Sequence, residues 1–174
     1  MIISVNEAKE IITFDNWTDA KIERKLKAIE QVIRSYTNNN FQIRTYRRVA
    51  DIVGNLLVSD ALIPFEVGDT VQISESGLNE GLFTIAEVED STFRVNEHVK
   101  DENDVLVTKV VYPEDVVDCC LNMLEWDLKN RSKVGIKSET LSRHSVTYED
   151  SNSFFMGYPK GLLGCLSLYK KARC

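Results

Sequence analysis

The chain has 174 residues, a net charge of −6 and four cysteines. That length is enough for one domain burying about 70% of its unfolded surface, or for a body with one modest insertion, so a disulfide scaffold is not required. No apolar run approaches the roughly 18 residues of a membrane span, and MIISVNEAKE turns polar too soon for a signal peptide, so a soluble, cytoplasmically made protein is expected.

Charge is unevenly distributed. Residues 65–111 hold eleven acids against three bases, while residues 1–64 and 112–174 each hold nine bases and eight acids. A shift this sharp predicts a separate structural unit. The expected fold class is α+β: a small helical bundle with an inserted antiparallel β domain, either an SH3-like barrel or a small sheet. Its boundaries are read as N-terminal helices over 1–40, an inserted β domain over 41–111, and a central helix, arm and short C-terminal helix over 112–174.

In chain order, Ser4-Val5-Asn6-Glu7 fits a capping box and predicts a helix from about Val5 to Thr13. Asp15 or Thr18 is expected to cap a second helix, whose Ile22, Leu26, Ile29, Ile33 and Tyr36 fall at offsets 0, 4, 7, 11 and 14. Lys21, Arg24, Lys25, Lys27 and Arg34, mixed with Glu23 and Glu30, read as its solvated face, and Asn38-Asn39-Asn40 as its end. From Phe41 the period becomes two. Short alternating runs at Val67–Ser74, Phe83–Val88, Phe93–Val95 and Val105–Val111, separated by Gly77, Asn79 and Gly81, predict four to six strands. Residues 47–63 fit a strand, a hairpin or a short helix, with a strand favoured.

The central helix is read from Tyr112 to Lys133. Pro113 suits its first turn, Glu114, Asp115 and Asp118 suit the positive end of its dipole, and Lys129, Arg131 and Lys133 suit the other end, with Gly135 as the cap. Val117, Cys120, Leu121, Leu124 and Leu128 form one face, widened by Val116, Cys119, Met123 and Trp126. Cys119, Cys120 and Cys165 are expected to pack in the core, since neither they nor Cys174 show metal spacing. Residues 135–148 read as extended. Phe154-Phe155-Met156 is an apolar patch that either tucks under its own domain or meets a partner, and a short helix from Pro159 presents Leu162, Leu163, Leu166 and Tyr169.

Catalytic chemistry is hard to find. His98 and His144 lie in no triad or metal pattern, and there is no phosphate loop, nucleophile elbow or dinucleotide turn. Asp51, Asp60, Asp69 and Asp90 lack the bases that nuclease chemistry needs, so they read as solvated acids. The excess of acid also argues against gripping nucleic acid. No catalytic residue, cofactor or metal is expected.

Six stretches taken in order carry a family resemblance: VNEAKEIITF, AKIERKLKAIEQVIRSYTN, VGDTVQISESGLNEGLFTIAEV, KVVYPEDV, GIKSETLSRHSVTYED and YPKGLLGCLSLYKKAR. Together they resemble the head-tail connector (adaptor, or head-completion) proteins of long-tailed bacteriophages, over nearly the whole chain. The resemblance implies a non-enzymatic homo-oligomeric ring, a dodecamer, in the neck of the virion. Such a ring docks on the portal protein after packaging, lets DNA pass through its channel without specific binding, and offers a platform to a downstream stopper or tail-completion protein; no membrane is involved. It further implies that the C-terminal part faces the portal, through Phe154, Phe155, Met156, Tyr158, Leu162, Leu166, Tyr169, Lys170, Lys171 and Arg173. Truncation after Asp150 is therefore expected to abolish docking and leave the fold intact. Glu87, Glu89 and Asp90 either line the channel, where they would repel DNA, or lie on the outside of the ring. The alternative reading is a non-viral binding module that uses an SH3-like barrel to hold a protein partner and the helices to dimerise.

Overall fold

A computed structural model describes residues 1–62, 64–130, 138–141, 144–147 and 153–172. The protein is α+β, and its strands include a closed six-stranded antiparallel barrel. The chain divides into two units, one of Met1 with Asn40–Tyr112 and one of Ile2–Asn39 with Pro113–Cys174.

The first unit is the barrel. Its strands are β1 (Gln42–Val53), β2 (Leu56–Val58), β3 (Thr70–Ser74), β4 (Gly81–Glu89), β5 (Thr92–Val95) and β6 (Glu102–Val110), in the closed order β1-β2-β5-β4-β3-β6. Two-residue alternation decides what points inward. Ala50 and Ile52 of β1, Leu57, Val71, Ile73, Ile85, Phe93, Val95, Val105 and Val107 fill the interior together with Phe65 and Val99. The stretch 47–63 is a strand that turns back on itself. Gly54 and Asn55 both take positive φ (58° and 69°), the conformation a two-residue hairpin needs, and Val53 pairs with Leu56 across the turn. Register shifts between Gln42 and Arg47 and between Ala50 and Ile52 bend the long β1.

The helical unit holds α1 (Val5–Ile11), α2 (Asp19–Thr37), α3 (Glu114–Asn130), the paired strands β7 (Ser138–Leu141) and β8 (His144–Thr147), the short hairpin of β9 (Phe154–Phe155) and β10 (Tyr158–Pro159), and a C-terminal 3₁₀ helix, Lys160–Tyr169. The capping box forms: the Glu7 amide donates to Ser4 Oγ, and the Ser4 amide donates to the Glu7 carboxylate. These bonds hold the Glu7 carboxyl below its ordinary pKa, the Ser4 side chain contributing most. The helix stops two residues earlier than predicted, at Ile11. Thr18, and not Asp15, caps α2, accepting from the Lys21 amide. Ile22, Leu26, Ile29 and Ile33 are buried and Tyr36 is half-buried, as the offsets require.

α3 departs from its predicted face. Its buried stripe is Val116, Cys119, Cys120, Met123, Leu124 and Asp127, with Val117, Leu121 and Leu128 half-buried. The face has rotated toward the residues read as its margin, because the stripe centres on an aspartate that apolar periodicity alone passes over. Pro113 sits just before the first turn, its carbonyl accepting from the Val116 and Val117 amides. Arg131, Lys133 and the Gly135 cap lie outside the described residues. The C-terminal helix also differs from its prediction: it begins at Lys160, after Pro159 has closed the β9–β10 hairpin, and it winds as 3₁₀. At three residues per turn, Leu163, Leu166 and Tyr169 stack on one edge; the first two are fully buried.

Candidate functional site

The residues expected to face a partner lie in the C-terminal segment, and local chemistry fixes how that segment is held. Phe154, Phe155 and Tyr158 turn inward on their own unit. Phe155 packs edge-on against Tyr36 at 5.2 Å, and Trp126 of α3 meets Phe154 at 6.0 Å and Tyr158 at 5.7 Å. Tyr158 is 2% exposed and donates its hydroxyl to Asp127 Oδ2 at 2.5 Å, an oxygen that also meets Lys25 Nζ of α2 at 2.8 Å. One carboxylate therefore ties α2, α3 and the β9–β10 hairpin together.

A second clamp holds the other end of the segment. Asn38 adopts a left-handed C-cap at φ 48°, and its side-chain amide donates to the carbonyls of Lys171 (3.4 Å) and Ala172 (2.9 Å). Asn39 does the same toward the Tyr169 carbonyl (3.2 Å), and the Lys171 amide donates to the Thr37 carbonyl (2.8 Å). The run Asn38-Asn39 thus ends a helix and grips a strand of chain some 130 residues away. Tyr169 donates its hydroxyl to both oxygens of Asp115, at 2.6 and 2.8 Å, which raises the phenol above its ordinary pKa. Lys170 sits over the Tyr36 ring at 3.8 Å.

Between these clamps the surface divides sharply. Tyr158 and Leu166 are buried and Leu162 is half-buried, so these residues work mainly as core. Met156, at the tip of the hairpin with φ 47°, is 61% exposed, and Leu168 is 87% exposed. Lys170, Lys171 and Ala172 are exposed beside Leu168; Arg173 lies outside the described residues. Removing everything after Asp150 would strip Tyr158, Leu163 and Leu166 from the helical core, so that truncation cannot leave the fold intact.

No protein-family model and no curated protein matches this chain.

Among the cysteines, Cys119 and Cys120 are buried as expected, but Cys165 is exposed. The 3₁₀ winding explains the correction, since Cys165 falls off the Leu163–Leu166–Tyr169 edge. Burial pushes the Cys119 thiol up, and burial with the nearby Glu30 pushes Cys120 up to about 12. Cys119 instead spends its S–H on the Leu162 carbonyl at 3.2 Å.

Glu87, Glu89 and Asp90 lie together at the β4–β5 turn of the barrel, all exposed, with Asp90 at φ 42°. Arg94 approaches Glu87 at 3.7 Å. Sequence reasoning missed a second polar assembly on this unit. The Glu102 carboxylate accepts from Ser76 Oγ (2.5 Å), the Gly77 amide (2.6 Å), the Leu78 amide (3.3 Å) and Asn79 Nδ2 (2.8 Å). Asn79 in turn holds both the amide and the carbonyl of Lys100. These bonds lower the Glu102 pKa, the Ser76 bond most, and fix the β3–β4 loop against the β5–β6 loop. Their spacing of about twenty-five residues leaves no local pattern to read.

Asp51 accepts the Asp104 amide (2.9 Å), while Asp69 accepts the Glu66 amide and pairs with Lys109 at 2.7 Å. Among the described residues no group of three His, Cys, Asp or Glu is arranged to hold a metal ion, and no helix is long and apolar enough to cross a membrane.

Proposed function

We propose that this chain is a structural adaptor, a non-enzymatic subunit of a closed dodecameric ring at the head-tail junction of a long-tailed phage. On this reading it is made in the host cytoplasm and ends in the virion neck, where it docks on the portal protein, extends the DNA channel and carries the stopper or tail-completion protein. DNA passes without being gripped, in keeping with the −6 net charge. The finer fold reading is a helical bundle interrupted by an SH3-like barrel.

The observation that carries the proposal is the clamped C-terminal segment. Asp127 and the Asn38-Asn39 pair fix its two ends, and Met156 and Leu168 project from the fixed scaffold with Lys170 and Lys171 alongside. Apolar side chains held this way lose little conformational freedom on docking, which favours a permanent assembly contact. The second reading, a protein-binding module, draws on a different feature: Val49, Val53, Val58 and Leu62 are exposed on the β1–β2 side of the barrel.

Met156→Asp with Leu168→Asp tests the first reading without touching the core. Portal particles are expected to retain the double variant at least about tenfold less well than the parent chain, as for loss of apolar anchors from an interface. Equal retention would remove the C-terminal segment from the portal contact. Negative-stain images of the parent chain with portal should show a ring with a central hole; binding through the barrel by a dimer would favour the module instead.

A further inference from the structure

The barrel unit holds thirteen acids and six bases, yet the bases are not spread evenly. Arg44, Arg47, Arg48 and Lys109 lie on the neighbouring strands β1 and β6. Register brings them together, since Arg47 pairs with Thr108 and Gln42 with Val110 at the end of the barrel where β1 begins and β6 ends. Arg44 is exposed; Arg47 Nε donates to Thr108 Oγ1 at 3.1 Å and Arg48 Nε to the Leu62 carbonyl at 2.9 Å, which fixes both side chains. Asp69 pairs with Lys109, and Arg48, opposite Val107, alternates to the core side of β1 with Ala50 and Ile52, so Arg44 and Arg47 are the charges left on the outer face, with no carboxylate paired to either among the described residues. Val49 (54% exposed), two residues on from Arg47, adds apolar area to the same face, and Tyr46 (46%) is exposed on the same strand.

The topology sets the acidic trio against this patch. In the closed order β1-β2-β5-β4-β3-β6, strand β4 stands three places from β1 and two from β6, and β5 two from β1 and three from β6, so the β4–β5 pair forms the wall opposite the β1–β6 pair. β4 is antiparallel to β3 and β3 to β6, so β4 ends where β6 ends. Glu87, Glu89 and Asp90 therefore lie at the same end of the barrel as the arginines and on its far side. Arg94 offsets one of the three.

We infer that these two faces bind each other between copies of this chain, the β1–β6 arginines and Tyr46 of one copy against the β4–β5 acids of the next. Opposite charges on opposite walls at one end make a head-to-tail contact, which leaves one face of each kind free on every growing assembly and is satisfied throughout only when a ring closes. Facing charges give such a contact its register and its rate of encounter. The inference deepens the self-assembly in the proposed function and rests on it. It assigns Glu87, Glu89 and Asp90 to a subunit contact, where they are covered by protein and face neither DNA nor solvent.

Sedimentation velocity of the full chain at about 0.1 M and about 1 M salt tests this, because screening shortens from about 10 to about 3 Å between them. Two variants complete the test. Arg44→Glu with Arg47→Gln turns the basic face negative while keeping a donor for Thr108, and Glu87→Gln with Glu89→Lys turns the acidic face positive without placing a lysine beside Arg94. Asp90 is left alone because its left-handed backbone suits aspartate. The parent chain should associate at low salt and weaken at least about tenfold at high salt, and each variant alone should weaken by as much. Mixing the two variants should restore association, since each then meets a complementary face; that restoration also shows both to be folded. Parent-like association by each variant alone, or no restoration on mixing, overturns the inference while leaving ring assembly standing. A parent chain that stays monomeric at low salt, at every concentration, overturns the inference and confines ring assembly to the portal surface.

Discussion

In the barrel the interior is alanine, valine, isoleucine, leucine and phenylalanine from six strands and their loops, contributed by two-residue alternation that is interrupted at the register shifts in β1 and β4. In the helical unit Asp127 and Glu30 lie buried among isoleucine, leucine, methionine and cysteine. Both interiors exclude water, yet they are specified differently. The barrel's backbone polar groups pair in a closed ladder, so its core needs only shape and volume. Among the described residues the helices and hairpin of the second unit share no ladder, and a buried carboxylate bonded to Lys25 and Tyr158 fixes their mutual placement. The difference predicts that the barrel tolerates polar change at its surface and suffers from cavities, whereas the helical unit fails when one polar atom is lost.

Phe93→Ala is the strongest challenge to the barrel side of that contrast. Phe93 is fully buried and stands edge-on to Phe65 at 5.5 Å. Its truncation should cost about 3–5 kcal/mol, from lost transfer energy and the cavity left behind. Amide exchange is the measurement: protection should fall across β1 to β6. Protection that persists would mean the ladder, and not the core, carries the barrel.

Asp127→Ala should cost the helical unit roughly 2–4 kcal/mol, because Lys25 and the Tyr158 hydroxyl lose their shared acceptor. Both tryptophans, Trp17 and Trp126, lie in this unit, so the fluorescence-monitored denaturation midpoint reports on it directly. Tyr158→Phe, which deletes one bond and keeps the ring against Trp126, should lower the midpoint by a smaller step. An unchanged midpoint in the alanine variant would place the unit's stability in its apolar contacts alone.

The parts of this structure that were legible in the sequence are those whose cause is local. The Ser4–Glu7 box, the Thr18 cap, the apolar face of α2 and the alternating strands each follow from residues within one or two turns of each other. Gly54-Asn55 marks a hairpin in a stretch that also fitted a helix, since only the partner strand β2 chooses between them. The candidate site was less legible because its causes are distant. Asp127 reads as a polar residue out of place until Tyr158 and Lys25 are beside it; the available signal was an aspartate at helical spacing from Cys120, Met123 and Leu124. Asn38 and Asn39 read as a helix end, and nothing near them announces the Tyr169–Ala172 chain they hold. The C-terminal helix was read at 3.6 residues per turn and winds at three, which moves Cys165 outward and leaves Leu168 on the surface. Assigning Tyr158 and Leu166 to a partner surface followed from reading apolarity as availability.

The smallest effect concerns a polar assembly that belongs to the barrel, and so tests whether this unit ever depends on a single carboxylate. Glu102 collects hydrogen bonds from Ser76, Gly77, Leu78 and Asn79, and they lower its pKa in the folded state. A carboxyl whose folded pKa lies below its unfolded one stabilises the fold fully above the unfolded value, and that contribution is lost as pH falls through the folded value. The Gly77 amide, 2.6 Å from Glu102 Oε1, reports the change directly. Its NMR shift should titrate with a midpoint below the ordinary 4.5 of a glutamate, and the amides of Leu78 and Lys100 should lose exchange protection over the same range while those of Val71 and Val107 keep theirs. Glu102→Gln should abolish the titration and loosen the loop at every pH, because an amide replaces one of the two accepting oxygens with a donor. Loss of protection in Val71 or Val107 with the loop would show that the barrel, too, hangs on one polar contact, and the contrast between the two units would then be one of degree.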